Sequence, residues 1–197
     1  MMNKCRNHIH PEAHILLFIL VAMAACATSD ISENYHDPEM DFSALRTIAV
    51  MPFENLTADK QAGRRVRDTF MTSLMATGVV YVIPAGEINR GILRLQIQNP
   101  ISPAGEDIAK LSSLIRADAV ITGVVREFGL VRSGQASAGV ISISMQMVES
   151  QSRKVVWTAS TTQGGINTWD RLFGGGGRPM NEITEQAVND IIKKLFY

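Results

Sequence analysis

The run VISISMQMV, residues 140–148, decides the fold class, because its residue types alternate. Val140, Ile141, Ile143, Met145 and Met147 form an apolar set against Ser142, Ser144 and Gln146. That period of two sets one face of a strand on a core and leaves the other small and polar. On either side lie AVITGVV (119–125) and VVWTAST (155–161), two further runs of β-branched and apolar residues that read as strands. Short turns at 132–138 and 151–154 make the three an antiparallel meander.

Upstream, RTIAVMPF (46–53) reads as a strand ending at Pro52. Ala62, Val66, Phe70 and Leu74 then recur every four residues with Met71 and Met75 beside them, an amphipathic helix closed by Gly78. VVYVIP (79–84) is a second strand and 86–95 a short helix. Ser102 before Pro103 marks a third helix, with Ile108, Leu111 and Ile115 on one face and its end at Asp118. Beyond the meander, Ile183, Ala187, Ile191 and Leu195, flanked by Val188 and Ile192, give a terminal helix. The order β-α-β-α-α-β-β-β-α predicts an α+β domain over 45–197, a mixed sheet of about five strands with helices mainly on one face.

The N-terminus carries an address. Lys4 and Arg6 precede ILLFILVAMAA (15–25), an 11-residue apolar run followed by Cys26. It fits a signal peptide over 1–25 and is short of the roughly 20 residues of a spanning helix. Cys5 leaves with that signal, so Cys26 has no disulfide partner in the mature chain, and an unpaired thiol at the first mature position suits acylation. Ordinary secretory cleavage beside a chance cysteine is the alternative. Residues 27–44 lack a sustained apolar period and read as a flexible tether, up to roughly 60 Å long at ~3.3–3.6 Å per residue.

Composition narrows the function. Removing Lys4, Arg6 and Glu12 with the leader leaves 17 basic against 18 acidic side chains in 26–197, so no basic field invites nucleic acid. The four histidines are His8, His10, His14 and His36. From residue 37 onward there is neither histidine nor cysteine, which excludes Ser/His/Asp and Cys/His nucleophilic sites and the common His/Cys metal sites. Of the common catalytic chemistries, only a carboxylate or lysine mechanism stays open.

Ala24 and Ala25 directly before Cys26 resemble a bacterial lipobox. In addition IAVMPFENLT (48–57), ADAVITGVV (117–125) and VVWTAS before a terminal helix resemble the periplasmic domains of a superfamily of outer-membrane lipoproteins. It includes the curli secretion subunit CsgG, the polysaccharide lipoprotein PelC, the penicillin-binding-protein activator LpoB and the amino-terminal domain of TolB. The resemblance covers 45–197. It implies N-acyl and S-diacylglycerol chains on Cys26, no other cofactor, and, with Ala27 rather than aspartate next, the periplasmic face of the outer membrane. It also implies non-enzymatic work, as a homo-oligomer or on an envelope protein partner, in polysaccharide or curli-like export. The alternative it implies is activation of a peptidoglycan synthase. The curli subunit inserts two long hairpins into the membrane; here the corresponding segments, 129–139 and 164–179, are too short for pairs of spanning strands of about 9–11 residues.

The second of those segments contains TWDRLFGGGG (168–177). It lacks the Gly-Lys-Ser/Thr ending of a phosphate loop, since Arg178, Pro179 and Met180 follow, so no nucleotide is expected. Two readings stay open. Trp169, Leu172 and Phe173 fold inward while Gly174, Gly175, Gly176 and Gly177 allow a tight reversal, or Trp169, Asp170, Arg171, Leu172 and Phe173 form an exposed wedge that meets membrane or a neighbouring subunit. Among lesser candidates, Glu54, Asn55 and Asp59 read as a helix-capping cluster, Arg64, Arg65 and Arg67 as solvent-facing, and Glu106 and Asp107 as complements to a helix N-terminus.

Overall fold

The computed structural model describes residues 33–133, 136–164 and 178–196. Its strands are β1 (Asn34–His36), β2 (Thr47–Val50), β3 (Glu54–Asn55), β4 (Tyr81–Val82), β5 (Ala119–Ser133), β6 (Ala136–Glu149) and β7 (Val155–Gly164). Its helices are α1 (Ala62–Ala76), α2 (Ala85–Leu95), α3 (Gly105–Ile115) and α4 (Met180–Phe196), with a single 3-10 turn at Phe42–Ala44. The class is α+β as expected, and the sheet is mixed. It has seven strands rather than about five, in the order β1-β7-β6-β5-β2-β4, with β3 continuing the line of β2 against β5. β5, β6 and β7 form the antiparallel meander; β2 runs parallel to β4 and β5.

Helices cover both faces, not mainly one, and the alternation of β2 shows why. Ile48 and Val50 pack with α1, α4 and the apolar face of β6, while Ala49 and Met51 pack with α2 and α3. A strand buried on both sides reads as a continuous apolar run, which is how IAVM reads. The α2–α3 layer meets only one end of the sheet. The rest of that face carries Ser142, Ser144 and Gln146, the polar half of the opening alternation.

Several boundaries differ from expectation for local reasons. The second strand shrinks to Tyr81–Val82. The third helix begins at Gly105 and ends with Arg116 in the left-handed region at φ 55°. Beyond a bulge between Val125 and Glu127, β5 and β6 stay paired to Ser133 and Ala136, so the expected turn at 132–138 is mostly a hairpin arm. Asp118 explains the Ala-Asp-Ala motif: its Oδ2 accepts 2.8 Å hydrogen bonds from the backbone N–H groups of both Arg46 and Thr47. It thereby ties the start of β2 to the start of β5.

Arg67 is not solvent-facing. It is 7% exposed, and its Nε and Nη2 donate to the Val50 carbonyl at 3.1 and 2.6 Å. Ile83 N–H caps Ile48 O on the same edge of β2, but β4 is too short to reach Val50, and the guanidinium takes the missing strand's place. Burial holds its pKa below the usual arginine value, with Asp68 acting in the opposite direction. Arg67→Met keeps the apolar stem but strands a buried carbonyl, so chemical denaturation should show a loss of about 1–3 kcal/mol. An unchanged midpoint would mean that the carbonyl finds water.

The tether expected over 27–44 is docked from Glu33 onward. β1 pairs with β7 in the register Asn34↔Ala159, Tyr35↔Thr158 and His36↔Trp157. Leu45 is the first buried residue among those described. The sequence reading missed β1 because three residues carry no period.

Candidate functional site

The open half of the α2–α3 face forms a groove of about 360 Å³. Two cross-strand rows build it. In one, Tyr35 stands opposite Thr158, Thr158 opposite Gln146, and Gln146 opposite Thr122. In the other, Ser160 pairs with Ser144, Ser144 with Val124, and Val124 with Glu54, while Glu33 accepts the Ser160 N–H at its outer end. Ile101, Ser102 and Pro103, ahead of α3, close one end together with Ile108. Because side chains alternate along strands, the apolar partners of these residues line the opposite core.

The groove is polar but mostly uncharged: hydroxyls and one amide on the floor, Glu33 and Glu54 at the two edges, and Arg126 beyond. It offers hydrogen bonds to a ligand surface; its lining holds no histidine, cysteine or lysine to serve as nucleophile or base. The alternation at 142–146 announced its floor, whereas Glu33 and the 101–103 wall were not foreseen as site residues.

The second feature is the arm. From Glu127 to Ser133 β5 pairs only with β6 among the described residues, because β3 leaves it at Val125. Leu130 is 65% exposed on it, with Val131 beside. At its base β6 passes under α4: a Cβ on Gly139 would lie 2.7 Å from Ile183 Cδ1 and Met180 Sδ, so a larger residue there would have to push the ends of those two side chains aside.

Of the sequence-predicted residues, Asn55 and Asp59 organise the loop before α1 rather than cap the helix, whose N-cap Gln61 makes no side-chain cap hydrogen bond. Asn55 Oδ1 accepts from Thr57 N and Oγ1, Asp59 Oδ1 from Gln61 N, and Asp59 pairs with Arg65 at 3.0 Å. Glu54 instead lines the groove. Glu106 and Asp107 lie in the first turn of α3. Cys26, the segment Trp169, Asp170, Arg171, Leu172 and Phe173, and Gly174 to Gly177 lie outside the described residues. Among those residues no helix is long and apolar enough to cross a membrane.

No protein-family model matches the chain, and no curated protein matches it in sequence. Solved structures do resemble its fold. A single-residue variant of the PelC dodecamer from Paraburkholderia phytofirmans superposes with a TM-score of 0.57 at 17% identity, covering 84% of this chain and 97% of that one. Lipoprotein GNA1162 from Neisseria meningitidis gives 0.51 at 21% identity, covering 75% and 99%. The chain has the fold of these proteins across nearly their whole length. The hypothetical protein CT253 from Chlamydia trachomatis shares it at 0.50 and 14% identity, over 77% and 96%.

Proposed function

We propose that the chain is a lipoprotein of the outer membrane, anchored through acylated Cys26 on the periplasmic face. In this reading it works without catalysis, self-associating or docking on an envelope machine that exports or assembles a polymer. The observation that supports it most is the pairing of a lipobox-like leader with a fold shared over nearly the whole length of a dodecamer subunit and of a lipoprotein. The outer edge of the β5 arm, which carries no strand among the described residues, fits self-association, since an exposed strand edge is a template for pairing with another chain, and head-to-tail contacts that close make rings. The polar groove, with hydroxyls and an amide on its floor and no histidine, cysteine or lysine in its lining, suits binding.

Native mass spectrometry on the delipidated domain tests the assembly. A ring, dissociated by Trp169→Ala with Phe173→Ala while the fold persists, is the expected result. A monomer would sink self-association and favour the alternative, a module that docks on a peptidoglycan synthase.

A further inference from the structure

Residues 33–44 are held to the domain by hydrogen bonds without joining its core. Asp37 N–H donates to Val156 O at 2.8 Å and Ser160 N–H to Glu33 O at 3.0 Å. Asn34 Nδ2 donates to Lys194 O at 3.3 Å, and a His36 ring nitrogen lies 3.3 Å from Leu195 O. Those two carbonyls belong to the last turn of α4, whose C=O groups lack partners within the helix. The segment's apolar packing comes from Met40 and Phe42, half-buried against the edge of the core, where Phe42 meets the His36 ring edge-on at 5.1 Å. None of residues 33–44 is fully buried. An element with few buried apolar groups and mostly exposed hydrogen bonds opens locally at a lower free energy than the domain unfolds.

The geometry points to residues 33–44 as a releasable clasp that sets the working length of the tether. This rests on the reading of Cys26 as the anchor. With the clasp closed, six residues, 27–32, link Cys26 to the domain, about 20 Å at full stretch. With it open, the link is the eighteen residues 27–44, about 60 Å. Opening would therefore triple the reach of the anchored domain while leaving both cores intact, and would uncover the β7 edge.

Tyr35→Pro tests this, because proline in the middle of β1 removes its N–H and the pairing it supports. In the wild-type chain the Asp37 and Ser160 amides should exchange with deuterium at least tenfold faster than those of Ile121 and Ile143. In the variant the first pair should speed up a further tenfold and the second pair stay unchanged. With the mature chain acylated at Cys26, Lys110→Cys supplies a single labelling thiol. Energy transfer from it to acceptor lipid in phosphatidylethanolamine–phosphatidylglycerol vesicles should fall when Tyr35→Pro is added. If all four amides exchange together, or Tyr35→Pro speeds all four, the segment is part of the cooperative core and the clasp is refuted. A missing acyl mass on Cys26 would refute the anchor reading instead, leaving the exchange results to judge the clasp alone.

Discussion

Trp157→Ala is expected to be the most destabilising single substitution in the folded domain, lowering its stability by about 3–5 kcal/mol and its Tm by roughly 10 °C. Trp157 is completely buried and is the largest such side chain among the described residues. It packs from β7 into the core shared with α1 and α4. Its indole also does polar work, since Nε1 donates to Lys194 O at 2.9 Å in the last turn of α4. Nearby, Lys194 Nζ reaches back to Ser160 O at 2.8 Å and pairs with Asp190, so helix and strand hold each other from both sides. Deleting the ring opens a cavity and at once leaves that helix-terminal carbonyl only the longer, exposed 3.3 Å bond from Asn34 Nδ2. Trp157→Phe separates the two effects: it keeps most of the apolar volume and should forfeit about 1 kcal/mol for the lost donor. Thermal unfolding of both variants measures the split. Equal losses would place the whole cost in the hydrogen bond, against the packing argument.

The tryptophan also shows where sequence reading succeeds. In VVWTAST it sits amid the alternation of a strand, and burial on the apolar side follows from the period; the same logic exposed Ser144 and Gln146 and so sketched the groove floor. What the alternation could not convey was pairing at a distance. Arg67 lies beside Arg64 and Arg65 in a basic run and resembles them in type, yet its neighbour in space is a carbonyl left bare by a two-residue β4. Nothing local in sequence encodes that shortfall. β1 escaped for the same reason, because three residues gain their conformation from the β7 edge and the end of α4 rather than from their own propensities. That α2 and α3 cover the face opposite α1 and α4 went unread because an apolar run such as IAVM tells that a strand is buried on both sides without telling which helix covers which side. The first candidate groove wall, 101–103, has turn formers that mark a loop but not what the loop closes.

Cys26→Ser should abolish acylation and move the protein from the membrane to the soluble periplasmic fraction, the largest functional effect expected of any one substitution. A single acyl chain of myristoyl length binds membranes with only about 10⁴ M⁻¹, so durable anchoring takes more than one chain, and serine offers no thiol to carry the diacylglycerol. The net charge adds no second attraction, since the sequence has a formal net charge of zero, without the basic excess that draws proteins to anionic lipid. The substitution should leave the fold untouched, because the buried residues of both cores, among those described, all lie at or beyond Leu45, and the soluble variant should melt within about 1 °C of the delipidated wild type. Cell fractionation with intact-mass measurement reads both halves of the expectation. A variant that stays with the membrane although its acyl mass is gone would transfer the anchoring to another segment, and Trp169→Ala with Phe173→Ala in the Cys26→Ser background would then show whether the apolar group at 169–173 carries it.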